Sequence, residues 1–144
     1  MYKKIVVGTD GSETAAKALK EATTLASMSG AHLHIAMATP GMPMMSSPEM
    51  MMAAVPFADA GEQATRSVLE GAEAFARDAG VEVSTHVLSG DPADGLLSLC
   101  EQVDADLLVI GNRGMQGARR FFLGSVSSRC AHHASCSILI VHTT

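Results

Sequence analysis

The stretch Leu107-Leu108-Val109-Ile110-Gly111-Asn112-Arg113-Gly114 decides how this chain reads. Four consecutive aliphatic residues without polar alternation suit a strand buried on both faces, as in a parallel sheet covered by helices. Glycines directly after such a strand let the backbone take φ > 0 and approach a ligand, which a Cβ would hinder. Nine residues separate Gly114 from Gly124-Ser125, which opens a helical stretch over 126–134. A helix N-terminus offers unpaired N–H groups and a partial positive charge, both suited to phosphate. The charges are distributed to match. Arg113, Arg119, Arg120 and Arg129 follow Asp106 and no Asp or Glu does, whereas residues 1–106 hold six Lys and Arg against fifteen Asp and Glu. An anion meets its most favourable field in the C-terminal part of the chain. Spacing and charge bias together point to a phosphate site rather than to a turn that only punctuates the fold.

Outward from this stretch, strand and helix patterns alternate. Ile5-Val6-Val7 lies in a first strand over 4–8 that runs into Thr9-Asp10-Gly11-Ser12. Ser12 is placed to cap a helix with Glu13 in its first turn and Gly30 past its end. Ala15, Ala18, Leu19, Ala22, Leu25 and Ala26 keep a helical period on one face of it. Residues 32–38 read as a second strand. Asp59 with Glu62 resembles a capping box opening a second helix that buries Val68, Ala72, Phe75, Ala76 and Ala79 and stops at Gly80. Residues 81–88 alternate as a third strand, and Asp91-Pro92 starts a third helix. Residues 107–110 and 137–141 supply the fourth and fifth strands. Such alternation implies right-handed βαβ units: a single-domain α/β protein with an open five-stranded parallel sheet and helices on both faces. Ligands of these sheets sit beyond the carboxyl ends of strands, where strand order reverses. Residues 8–12 and 111–114 are such ends, and they read as two walls of one crevice.

Composition narrows the function classes. The 144 residues are 47% hydrophobic and 17% charged, which fits one globular domain. Net charge is −5, with four Phe, one Tyr and no Trp. Nucleic acid needs a basic surface and, for single strands, aromatic stacking platforms, so it is not expected as a partner. The first apolar run is too short for a signal peptide or a membrane span, and a cytoplasmic protein without membrane attachment is expected. Cys100, Cys130 and Cys136 read as reduced, packed thiols. From Thr39 to about Ala58 the chain holds Pro40, Pro43, Pro48 and Pro56 with six of the ten methionines. That segment is expected to be a mobile apolar loop rather than a thioether site for Cu(I).

Catalytic and metal motifs are sparse. Cys130-x-His132-His133-x-x-Cys136 lacks zinc-ligand spacing, so no metal ligand is assigned. No nucleophile–base arrangement or carboxylate pair can be assembled, and no catalytic residue is assigned. A P-loop needs Lys after its glycines, yet the lysines are Lys3, Lys4, Lys17 and Lys20. A phosphoryl-accepting receiver would want an acidic pair after the first strand and a late Lys, both missing. A flavin- or dinucleotide-dependent oxidoreductase remains an alternative on fold alone, without GxGxxG after the first strand.

Gly-x-x-Gly, nine residues, Gly-Ser resembles the nucleotide-binding signature of the universal stress protein family, in its ATP-binding type. The resemblance extends over 2–12, 107–114 and 123–141, nearly the whole chain, while the Met-rich segment has no match. It implies a five-stranded parallel α/β fold, a homodimer, and an adenine nucleotide in the crevice: ATP, with or without Mg or Mn, or cyclic AMP as in some similar members. It implies a stress-response regulator; with no evident base in the crevice to activate water, at most slow ATP hydrolysis or autophosphorylation is expected. Carried onto this chain, the resemblance puts Thr9 and Asp10 near adenine and ribose, with Gly8 at the turn. Met37 would be an apolar wall for the base. Ile110, Gly111, Arg113 and Gly114 would line ribose and phosphate. Gly124, Ser125, Val126 and Ser127 would present N–H and hydroxyl groups to the phosphates. Asp10 admits a plainer role as a turn-capping residue. The last strand, 137–142, is an apolar edge that two-fold pairing with a second copy would close.

Overall fold

Each aliphatic run becomes a strand of one parallel sheet. The computed structural model describes residues 1–39, 47–112 and 124–142. Its strands are β1 (Lys4–Gly8), β2 (His32–Thr39), β3 (Val83–Ser89), β4 (Leu107–Gly111) and β5 (Ser137–Val141). They lie in the order β3-β2-β1-β4-β5, every neighbour parallel. The connecting helices are α1 (Glu13–Ser29), α2 (Pro48–Asp78), α3 (Pro92–Val103) and α4 (Ser125–His133). The α/β fold read from the sequence is the fold observed.

Strand pleating divides the core in two. Ile5, Val7, Leu33, Ile35, Leu107 and Val109 point toward α1 and α2, where they meet Ala18, Leu19 and Ala22 of α1 and Leu69, Ala72 and Ala76 of α2. Val6, Ala36, Leu108 and Ile110 point the other way, onto Leu96, Leu99 and Cys100 of α3 and Cys130 of α4. The expected caps hold these helices in place. Ser12 Oγ accepts the Ala15 N–H at 3.1 Å, and α1 ends at Gly30 with φ 71°. Asp91 Oδ2 accepts the Asp94 N–H at 3.0 Å ahead of α3.

α2 departs from expectation in start and phase. It begins at Pro48, after Ser47, whose Oγ accepts the Met50 N–H at 3.3 Å. Residues 48–58, expected as loop, are therefore helical; 40–46 lie outside the described residues. Proline in a first helical turn sacrifices no hydrogen bond, and Met, Ala and Glu are good helix formers. Asp59 and Glu62 are interior positions of this 31-residue helix rather than its start. Its buried stripe is Thr65, Leu69, Ala72 and Ala76. Phe75 is 46% exposed, Ala79 is exposed, and Val68 is half-buried. Ala72 and Ala76 are shared with the expected stripe, but the core-facing direction is turned by roughly 45° from it, toward Thr65 and Leu69. β3 also starts two residues later than its alternation suggested, at Val83, and runs to Ser89.

Candidate functional site

β1 and β4 are neighbours in the sheet, yet the chain leaves β1 into α1 on one face and β4 toward α4 on the other. Their carboxyl ends splay apart at this switch in direction, and the crevice between them is where open α/β sheets take ligands. A cavity of about 520 Å³ occupies it. Its base is formed by Gly8, Ile110 and Gly111, with Ala36 and Ala38 from β2. Leu88, Asp91, Pro92 and Leu96 close the β3 and α3 side. Gly124, Ser125, Val126 and Ser127 bring the start of α4 to the opposite rim. Gly8 is small because of packing: a Cβ there would lie 3.0 Å from Leu96 Cδ1.

The turn after β1 is held by its own polar groups. The Thr9 N–H donates to the Ala36 carbonyl at 2.9 Å, continuing the sheet. Asp10 Oδ1 accepts the Ser12 N–H at 3.0 Å and also the Ser12 hydroxyl. Gly11, at φ 81°, donates its N–H to Thr9 Oγ1 at 3.2 Å. Asp10 therefore performs the turn-capping role, while Thr9 and Asp10 both line the cavity.

At α4 the donors sort themselves. The Gly124 N–H donates to the Asn112 carbonyl at 2.8 Å, so it is spent tying α4 to the end of β4. Ser127 is buried, and its hydroxyl donates to the carbonyls of Asn112 at 3.1 Å and Gly124 at 3.0 Å. Both are corrections to the expectation that Gly124 and Ser127 turn an N–H and a hydroxyl toward phosphate: the two groups brace the helix instead. No side chain caps α4 among the described residues. The first-turn N–H groups of Ser125, Val126 and Ser127 are those an α-helix leaves without intrahelical acceptors. They stand at the cavity rim with the positive end of the helix dipole.

Met37 is a further correction. It packs against the α1/α2 core, because alternate residues of β2 face opposite sides of the sheet. Its neighbours Ala36 and Ala38 face the cavity, and their small side chains leave room there. Arg113 and Gly114 lie outside the described residues, as do Arg119 and Arg120. Arg129 does not stand ready for an anion: it bridges Asp91 at 3.1 Å and Asp94 at 2.8 Å, joining α4 to the start of α3. Cys100, Cys130 and Cys136 are free thiols. Burial pushes Cys100 up to about 12 and Cys130 up to about 11, so neither is an activated nucleophile. Among the described residues no three His, Cys, Asp or Glu side chains gather as metal ligands. No helix among them is long and apolar enough to cross a membrane.

The fold has counterparts. A universal stress protein of Methanocaldococcus jannaschii is 34% identical over 146 residues, covering 98% of this chain and 82% of that protein. A universal stress protein solved in complex with cAMP is 33% identical, with a TM-score of 0.75 and 99% of each chain covered. The universal stress protein from Archaeoglobus fulgidus in complex with dAMP is 25% identical, with a TM-score of 0.69, 96% of this chain and 97% of that one covered. The family model described as "Universal stress protein family" matches residues 1–142. Strand order, switch-point cavity and these matches agree: the chain belongs to the universal stress protein family.

Proposed function

We propose that this protein binds an adenine nucleotide in the β1/β4 cavity and acts as a cytoplasmic regulator in stress response. The observation that carries this reading is the N-terminus of α4, which no side chain caps among the described residues, with its first-turn N–H groups facing a cavity of about 520 Å³. The phosphates would lie over Ser125–Ser127 and the base toward Ala36, Ala38 and Leu88. ATP is the ligand implied by the resemblance of the Gly111–Gly114 and Gly124-Ser125 spacing to the family's ATP-binding signature, and Arg113 and Gly114 would extend the phosphate grip. The carboxylates at the cavity are Asp10, which braces its turn, and Asp91, which is paired with Arg129. An accompanying Mg or Mn ion would therefore be held by phosphate and water more than by the protein.

A second ligand reading is cyclic AMP. Its support is the cAMP-bound relative, which is 33% identical to this chain. Calorimetry with ATP, AMP and cyclic AMP tests both readings. Tightest binding of ATP supports the first, tightest binding of cyclic AMP supports the second, and folded protein that binds none overturns the function. Hydrolysis, if any, would be slow, because among the described residues the cavity's carboxylates are engaged, Asp10 in its turn and Asp91 with Arg129.

A homodimer through β5 accompanies this reading. β5 is an edge strand whose Ile138, Leu139, Ile140 and Val141 are only half-buried, and like-strand pairing would cover them. Light scattering that finds a monomer at micromolar concentration would remove the dimer from the proposal and leave the nucleotide site standing.

A further inference from the structure

Three histidines that the nucleotide site does not use meet on the α3 side of the sheet. His32 and His34 of β2 point opposite to Leu33 and Ile35, and His86 of β3 comes beside them. The rings of His32 and His34 are stacked, centroids 4.4 Å apart and planes 18° apart. His34 Nδ1 and His86 Nε2 are 2.9 Å apart, and His32 Nε2 is 2.7 Å from Ser84 Oγ. These are contacts between β2 and the outermost strand, β3. A hydrogen bond between two imidazole nitrogens requires one N–H and one lone pair. When both rings are protonated, two N–H groups oppose each other and the bond is lost.

We propose that His34 and His86, with His32 stacked beside them, form an acid-responsive latch that holds edge strand β3 on β2 at neutral pH and loosens it on acidification. The surroundings favour neutral rings. Lys4 of β1 acts on His34 with the same sign as a second imidazolium, and His32 acts on both rings. Glu82, just before β3, reaches only His32 Nδ1, at 3.5 Å, and is 79% exposed. From α3, Asp94, Ser98 and Gln102 line the groove beside His86, but Asp94 is engaged by Arg129 of α4. Burial and these charges bring His34 down to about 4 and lower His86 as well.

The sign of the effect follows. Detached or unfolded chain titrates near 6.5 and takes up protons that the docked rings refuse. The stability held in the latch is complete above pH 6.5, drains as pH falls from 6.5 toward 4, and is lost no further below that. A functional consequence rests on the nucleotide reading. Ala36 and Leu88 stand next along the same face from His34 and His86, and both line the cavity. Loosening β3 withdraws one wall of the site.

Amide hydrogen exchange on the nucleotide-free protein between pH 7.5 and 5, corrected for intrinsic rates, tests the latch directly. Protection of β3 amides is expected to fall by up to about tenfold per pH unit for each ring released below pH 6.5. In His34→Gln/His86→Gln that fall should largely disappear. Flat wild-type protection, or an equally steep fall in the double variant, overturns the proposal. If the double variant does not fold, NMR titration of the wild-type imidazoles decides. His34 should remain neutral at pH 5.5, and titration of His34 near 6.5 overturns the latch. Exchange behaving as expected in a protein that binds no nucleotide at pH 7.5 would sink the functional reading and leave the latch intact.

Discussion

The two faces of the sheet are built from the same strands and serve opposite ends. Toward α1 and α2, Ile5, Val7, Leu33, Ile35 and Val109 are fully buried against alanine-rich helices. Toward α3 and α4, β2 instead offers His32, His34, Ala36 and Ala38. Small alanines at its carboxyl end leave a cavity, and polar histidines at its start make a hydrogen-bonded cluster. In a sheet covered on both sides, one pleat of a strand can carry stability while the next carries the site.

This contrast breaks first at its stable side. Ile35→Ala should cost about 2–5 kcal/mol by urea denaturation, because the site sits in dense packing that relaxes poorly. A loss under about 1 kcal/mol would mean that the α1/α2 face is not the stabilising one. Gly8→Val comes next, since its side chain must force Leu96 and Ile110 apart. About 1–3 kcal/mol of stability should go, and nucleotide binding with it. Wild-type stability in this variant would show that the base of the cavity is looser than the 3.0 Å approach implies.

Ala38→Leu sharpens the comparison from the other face. The added atoms enter the cavity rather than the core, so affinity for the best-binding nucleotide should fall at least about tenfold, or 1.4 kcal/mol. The melting temperature should stay within a few degrees of wild type, as for a surface change. Equal losses of stability and binding would erase the division of labour between the faces. Ser127→Ala removes the hydroxyl that braces α4 and should cost about 1 kcal/mol of stability. Arg129→Ala should be mildest, roughly 0.2–1 kcal/mol, and less in high salt, because its ion pairs with Asp91 and Asp94 are half-exposed.

Much of the molecule was legible in local chemistry. The aliphatic runs at 5–7 and 107–110 identified the central strands, and Ser12, Gly30 and Asp91 marked helix ends that the structure reproduces. Glycines after β1 and β4, with Gly124-Ser125 opening α4, located the cavity. Asp91, Pro92 and Leu96 of its α3 wall were missed as cavity-lining residues. Nothing local marks them: Asp91 and Pro92 read as a helix start, and Leu96 as core. Ala36 and Ala38 had a usable signal, two small residues alternating with Met37, but which set faces the cavity depends on the side of the sheet.

Outside residues 48–58, the sequence by itself determined which segments are strands or helices, their order, and the carboxyl-end crevice. Periodicity, caps and turn residues act over a few positions and need no partner to be read. Only the tertiary structure decided the phase of α2, the turning of Met37 into the core, and the commitment of Ser127 and Arg129 to bracing α4. It alone brought His34 to His86, 52 residues apart in sequence. Each of these depends on strand register and on how helices seat against the sheet. Those relations join residues distant along the chain, and the local pattern of each is compatible with more than one partner.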